Sequence, residues 1–429
     1  MKNQKRKNHM RRLAAAGVCG ILLAALAAGC SAEPENREAE SENRGPEQEE
    51  RGAEENAVLL TEEEREQCAA AAAEFGLRLF SQAAGQTPGA NVCVSPVSAL
   101  EALGMTAAGA EGDTKTQMED VFGMPEEKLA VWLSDWSAGL PAGKESTLRI
   151  ANSLWMRDDG SFTVDPDFTE YTKRQYGAEI CEEPFDGGTA GKINEWVKQS
   201  TDGMIDGIVD DIPANAMLYL VNGLAFEGEW ETLYREDQIG DGTFTGADGN
   251  ARDVQMMYAQ EQAYVEDDQA SGFVKYYKGG EYAFAALLPE EGLTVEDYAA
   301  TLTGERLRTL FLHPQETEVD TAIPQFESDY GAELSGMLKA MGMKDAFDPV
   351  KARFGGMGTS EQGNLFIGQA LHKTHMTVDE SGTKAAAVTA VMMESGAAMT
   401  EQVYLNRPFL YFLIDCRQGV PLFVGTLSQ

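Results

Sequence analysis

Residues 380–390 read Glu-Ser-Gly-Thr-Lys-Ala-Ala-Ala-Val-Thr-Ala, the most informative stretch of the sequence. It opens as a turn over residues 379–382 and continues into small, uncharged side chains, and an apolar strand begins further on at Pro408. Because successive side chains of a strand face opposite sides, the segment can be sorted by counting in twos. One set is small or apolar throughout: Thr383, Ala385, Ala387, Thr389, Val391 and Met393. The other set holds both charges of the segment, Lys384 and Glu394. This sorting predicts a loop that can become a buried strand, although an Ala-rich helix or linker remains an alternative.

Several further motifs follow one another along the chain. They are Asn91-Val-Cys-Val-Ser-Pro-Val-Ser98, Asn152-Ser-Leu-Trp155, Ile193-Asn-Glu-Trp196, Leu220-Val-Asn-Gly-Leu-Ala-Phe226 with Trp230, and Asn406-Arg-Pro-Phe409. Together with the loop, these motifs resemble the serpin family of protease inhibitors, in the family's order and from about residue 65 to 429. The resemblance covers nearly all of the predicted globular part.

The resemblance implies an α+β fold with three β-sheets, about eight or nine helices and an exposed reactive-centre loop. It also implies suicide inhibition. A serine protease cleaves the loop, stays attached as an acyl-enzyme, and is trapped when the freed arm enters the central sheet as a strand. The hinge of that arm is matched by Glu380, Gly382, Thr383, Ala385, Ala386, Ala387 and Thr389.

The scissile bond is placed by family spacing. Counting forward from Glu380 gives Gly396-Ala397, whereas counting backward from Pro408 gives Ala397-Ala398. Either choice presents a small residue to the specificity pocket of the protease. We therefore expect extracellular targets of the elastase-like or subtilisin-like kind, held in a covalent complex.

The family also has two groups of residues that control opening of the sheet. Ser95, Ser98, Asn222 and His372 match the buried polar cluster beneath it, where two strands must part. Trp230, with Glu380, matches the top of the sheet, where insertion begins. Ordinary core packing is the alternative role for all of them.

The N-terminus has the features of a targeting signal. Basic residues precede an apolar run that ends in Ala27-Ala-Gly-Cys30, which predicts a lipoprotein signal over residues 1–29 and lipidation of Cys30. An uncleaved membrane anchor is the rival, but about 16 apolar residues are short for a span of roughly 20. Residues 30–62 predict a disordered acidic tether and residues 63–429 the serpin domain. We expect a monomer at the cell surface of a bacterium, attached to the membrane through the lipid alone.

Composition narrows the function further. The chain of 429 residues carries a net charge of −36, which argues against nucleic acid as a partner. No nucleophile elbow, zinc-protease motif or complete phosphate loop occurs, and an isolated Ser381-Gly-Thr-Lys384 match lacks its partner motifs. His372 and His375 lie in an alternating, strand-like run, so no metal site, cofactor or enzymatic activity is predicted. Cys93 and Cys416 sit in apolar runs typical of free thiols. A non-inhibitory surface binding protein with the same fold is the main alternative function.

Overall fold

A computed structural model describes residues 59–141, 146–212, 216–361, 363–383 and 400–429. Several predicted features lie outside these ranges: the signal, Cys30, nearly all of the tether, Ala385, Ala386, Ala387, Thr389, Gly396, Ala397 and Ala398.

Nine α-helices occur in the described ranges. They are α1 (Glu62–Gln86), α2 (Pro96–Ala107), α3 (Gly112–Phe122), α4 (Glu126–Ala138), α5 (Pro166–Tyr176), α6 (Thr189–Ser200), α7 (Val295–Ala299), α8 (Gly304–Leu312) and α9 (Ser335–Met341). The first begins with a capping box between Thr61 and Glu64, which satisfies backbone donors at the exposed end of the helix. Within the described ranges, no helix is both long and apolar enough to span a bilayer.

Seventeen strands accompany the helices. They are β1 (Val92–Val94), β2 (Ser146–Arg157), β3 (Phe162–Val164), β4 (Glu179–Glu183), β5 (Leu218–Glu229), β6 (Ile239–Thr245), β7 (Ala251–Glu266), β8 (Ala270–Tyr276), β9 (Tyr282–Pro289), β10 (Gln315–Pro324), β11 (Phe326–Glu333), β12 (Gly358–Ser360), β13 (Ala370–Val378), β14 (Gly382–Thr383), β15 (Glu401–Tyr404), β16 (Phe409–Asp415) and β17 (Val420–Leu427).

The described strands form three sheets. The central sheet has the order β11-β13-β5-β2-β4, with β14 attached to β5. A nine-stranded sheet contains β1, β17, β16, β9, β8, β7, β10 and β15 in that order, with β6 paired to β7, and β3 pairs with β12. This architecture confirms the predicted α+β class with three sheets and eight or nine helices.

The position of β5 sets up the site. It pairs antiparallel with β2 on one side and parallel with β13 on the other. One face of β5, carrying Leu220, Leu224 and Phe226, packs into the main core with α2. The other face, carrying Tyr219 and Val221, packs into a smaller cluster with α6. Because both faces are covered, β5 reads as a nearly continuous apolar run in which Asn222 stands out.

Candidate strand-insertion site

A turn leads from β13 into β14 at the upper end of the central sheet. The Asp379 carboxylate accepts hydrogen bonds from the backbone N–H groups of Ser381 at 2.8 Å and Gly382 at 3.1 Å. Gly382 has a φ of +134°, and a Cβ there would lie 2.1 Å from the carbonyl oxygen of Gly228. Only glycine therefore lets the chain approach β5 closely enough to pair. The pairing is antiparallel, with Gly382 opposite Glu229 and Thr383 opposite Gly228.

Trp230, the residue directly after β5, holds this turn in place. Its indole Nε1 donates to the carbonyl oxygen of Asp379 at 2.8 Å, and its backbone N–H donates to that of Ser381 at 3.0 Å. The ring stacks on Tyr277 with centroids 4.3 Å apart and is 1% exposed. The predicted role of Trp230 at the top of the sheet is thus consistent with its contacts, which also make it part of the core.

Two charged residues complete the upper end. Glu380 accepts a hydrogen bond from the Gln325 side chain at 2.7 Å, which ties the turn to the segment between β10 and β11. The ammonium of Lys275, buried in β8, lies 5.3 Å from the Trp230 ring centroid and 4.6 Å from that of Tyr234. It also donates to Glu261 at 2.6 Å. Sequence reasoning missed Lys275, whose signal is a lone cation in an otherwise apolar strand.

The predicted polar cluster lies lower in the sheet. His372 Nε2 accepts a hydrogen bond from the backbone N–H of Ser95 at 2.9 Å, which joins β13 to the start of α2. Burial lowers the pKa of His372 to about 4, so the ring is neutral at pH 7 and its nitrogen is free to accept. In the parallel ladder His372 lies directly opposite Asn222 of β5.

A second polar link starts from the same helix. The Asn222 side-chain amide donates to the Asn152 side-chain oxygen, and the Asn152 amide donates to Glu101 of α2. Burial raises the pKa of the Glu101 carboxyl to about 8. Sequence reasoning missed Glu101 and the role of Asn152. The signal for Glu101 was present, since it is the one charged residue in the helix Pro96–Ala107.

Among the described residues, buried polar atoms without partners occur on β5 and at the start of α2. Within the described residues, the hydroxyls of Ser95 and Ser98 and the side-chain oxygen of Asn222 make no hydrogen bond. A cavity of about 20 Å³ is lined by Asn222 and His372, room for about one water. Buried polar atoms normally have partners. The closed sheet therefore leaves hydrogen-bonding capacity unused where two strands would part.

The structure thus gathers the predicted residues into two places. His372 lies opposite Asn222 in the β5–β13 ladder and bonds to Ser95, and Ser98 is buried three residues further along in α2. Trp230, Glu380, Gly382 and Thr383 belong to the upper end of the sheet. His372 and His375 lie on one strand and are an odd number of residues apart, so they face opposite sides.

The same described ranges also contain side chains of the types that can bind a metal ion or react as thiols. No group of three or more His, Cys, Asp or Glu residues there is arranged to hold a metal ion. The thiols of Cys68, Cys93, Cys181 and Cys416 are free. Cys93 is buried, whereas Cys416, which follows the end of β16, is only partly so.

Comparison with known proteins gives a consistent result. The family model described as Serpin (serine protease inhibitor) matches residues 70–429. An uncharacterized serpin-like protein of Thermococcus kodakarensis is 30% identical over 83% of this chain and 84% of its own. Leukocyte elastase inhibitor A of Rattus norvegicus is 30% identical over 85% of this chain and 100% of its own.

Among solved structures, the thermophilic serpin tengpin in its native state is 37% identical with a TM-score of 0.82. That match covers 87% of this chain and 95% of tengpin. With a family model spanning most of the sequence, and motifs, sheets and helices that agree with it, the chain belongs to the serpin family.

Proposed function

We propose that this protein is a suicide inhibitor of serine proteases, which traps its target by inserting the cleaved loop between β5 and β13. Protease inhibition in general follows from the family and from relatives that include elastase inhibitors. The insertion step in this chain is our proposal. The observation that carries it is the register of the two residues of β14 that already pair with β5.

Continuing that register gives each later loop residue a partner. Thr383 lies opposite Gly228, so each step along the loop moves one residue back along β5. Thr389 would then come opposite Asn222, level with His372. Its hydroxyl can both donate and accept, and it would arrive opposite Asn222, whose side-chain oxygen has no hydrogen-bond partner among the described residues.

The same register predicts which side chains of the inserted segment lie on each face of the central sheet. Directly opposite residues of an antiparallel pair face the same side of a sheet. Ala385 and Ala387 would thus come opposite Phe226 and Leu224, on the face that packs with α2. Small side chains suit a gap between strands that are already closely packed. Lys384 would come opposite Glu227, a residue of opposite charge, on the other face.

Insertion also fits the backbone chemistry. β5 and β13 are parallel and adjacent, so a strand placed between them can run antiparallel to both and satisfy both edges. The protease is then carried from the top of the sheet before its ester hydrolyses. Small residues at Gly396, Ala397 and Ala398 favour elastase-like or subtilisin-like targets.

The test is incubation with a panel of serine proteases, followed by denaturing electrophoresis. We expect a band at the combined mass of the inhibitor and an elastase-like or subtilisin-like enzyme, which resists boiling in detergent. An active-site Ser→Ala protease is the control and should give no such band. Loop cleavage without any covalent band, across the whole panel, would instead support a non-inhibitory binding protein.

We further propose that the mature protein is a bacterial lipoprotein held at the cell surface through Cys30, on the acidic tether. The motive is an apolar run ending in Ala-Gly-Cys, followed by a segment too polar to fold. Cys30→Ser is expected to lose incorporation of labelled fatty acid and retention on membranes. The purified domain of this variant should inhibit as the wild type does. A Ser variant that is cut at the same site and still stays on membranes would overturn the anchor.

A further inference from the structure

Glu101 is a buried acid that the family mechanism described above does not use. It lies in α2, whose twelve residues are all buried, and its side chain is 4% exposed. A buried carboxyl needs a partner or must stay neutral. Burial raises its pKa to about 8, and a hydrogen bond from Asn152 opposes that rise. The group is therefore largely uncharged at pH 7.

The hydrogen bond between Glu101 and Asn152 fixes the orientation of the Asn152 side-chain amide and, through it, that of Asn222. Because Glu101 accepts from the Asn152 NH₂, the Asn152 oxygen is left to accept from the NH₂ of Asn222. Asn152 and Asn222 are directly opposite in the β2–β5 ladder. The side-chain oxygen of Asn222 is therefore the last atom in this series of hydrogen bonds, and it has no partner among the described residues.

That free oxygen sits at the place where the sheet would open. Asn222 lines the small cavity beside His372, its opposite residue on β13. On the other side of the junction, His372 is tied to the same helix through the Ser95 backbone. The start of α2 is thus tied to β13 through Ser95, whereas Glu101 is tied to β2 and, through Asn152 and Asn222, to β5.

We propose that Glu101 is a positioning residue for strand insertion, which holds β2 and β5 to α2 through Asn152 and makes the opening of the sheet depend on pH. The inference rests on the proposed function. When the sheet opens, water reaches the carboxyl and the charged form becomes easier to create. Raising the pH therefore favours the open sheet over the closed one.

The direction follows from proton binding. The carboxyl pKa lies above its ordinary value of 4.5 in the closed sheet and falls towards that value on opening. Between these two pKa values Glu101 is protonated more often in the closed sheet than in the open one. The free-energy difference that favours the closed sheet therefore shrinks as the pH rises towards 8. Each unit by which opening lowers the pKa corresponds to about tenfold in the opening equilibrium.

No other titration in the cluster gives this profile. Asn152 of β2 donates to Glu101 and accepts from Asn222 of β5, whereas His372 of β13 contacts the start of α2 at Ser95 and the Tyr176 ring lies against the same helix at Gly104. His372 has a pKa lowered to about 4 and Tyr176 one raised well above 10, both by burial. Tyr176 therefore stays neutral between pH 5.5 and 9. Opening would return the pKa of His372 towards 6.5, which favours the open sheet at low pH and so works in the opposite direction to Glu101.

The experiment measures insertion without a protease. A synthetic peptide of residues 383–396 is added to the uncleaved full chain, and its rate of incorporation is followed on native gels between pH 5.5 and 9. We expect the wild-type rate to rise about tenfold or more over this range and to level off above pH 8. Glu101→Gln keeps the shape and the acceptor oxygen but cannot ionise, so the rise in rate towards pH 8 should be absent.

Glu126→Gln is the matched control. Glu126 is also a buried acid, 2% exposed, whose pKa is raised by burial, but it bonds to Tyr171 and Tyr176 rather than to sheet residues. This variant should keep the wild-type profile. The proposal is overturned if Glu101→Gln retains the wild-type pH dependence, or if Glu126→Gln loses it equally. A wild-type chain that never incorporates the peptide would overturn the proposed function as well, which distinguishes the two failures.

Discussion

The upper end and the middle of the β5–β13 junction are held closed in different ways. At the upper end, Trp230 is stacked, hydrogen-bonded and buried, and β14 is already paired with β5. In the middle, His372 bonds to the start of α2, and Asn222 reaches α2 through Asn152. The side-chain oxygen of Asn222 has no partner in the part of the chain that the structure describes. On the proposed mechanism, we therefore expect the added strand to start at this well-ordered upper end and to supply a hydrogen bond to that oxygen further down.

Cleaving the loop should give the largest change. An inserted strand would add about ten ladder hydrogen bonds, at about 1 kcal/mol each, besides apolar contacts. We expect the melting temperature of the nicked protein to exceed that of the intact protein by about 10 °C or more. Scanning calorimetry of both forms checks this. Equal midpoints would mean that the middle of the junction does not open.

Thr383→Arg tests the upper end. Thr383 is already paired opposite Gly228 at the end of β14, and on the proposed mechanism it becomes enclosed between β5 and β13 when the rest of the loop follows it. Burying an unpaired charge there costs several kcal/mol, and insertion must outrun deacylation. The loop should still be cut, but the yield of covalent complex should fall at least tenfold. Lys384→Arg, one residue on and therefore on the opposite face, is the control and should leave the yield unchanged.

His372 provides a smaller effect, in the middle of the junction. Its pKa is lowered from 6.5 to about 4 by burial, so the folded state resists protonation. Its contribution to stability is present above pH 6.5 and is lost as the pH falls from there towards 4. His372→Gln cannot titrate in this range. Its melting temperature should therefore fall less than that of the wild type between pH 7 and 5. If the melting temperatures of the wild type and of His372→Gln fell equally between pH 7 and 5, His372 would not be the group responsible for the loss of stability.

Sequence reasoning located much of this site but not how it is connected. The alternation of residues 383–394 and the strand through His372 and His375 follow from local periodicity. The pairing of His372 with Asn222 joins residues far apart in the chain, which periodicity does not address. Glu101 was visible as an isolated charge, yet its partner Asn152 depends on where α2 packs beneath the sheet.

In the proposed mechanism, β5 and β13 must separate for the protease to be trapped. Ala225 and His375 are directly opposite at the upper end of their ladder, so Ala225→Cys with His375→Cys places two thiols to form a disulfide across the junction. The native thiols of Cys68, Cys93, Cys181 and Cys416 have pKa values raised by burial, which slows their oxidation.

The same double variant serves as its own control in oxidised and reduced form. The measurement is the yield of covalent complex with an elastase that the wild type traps. We predict that the oxidised form is cleaved in the loop without trapping the enzyme, and that reduction beforehand restores the wild-type yield. An oxidised form, verified as cross-linked, that traps the enzyme as efficiently as the reduced form would contradict insertion between these two strands.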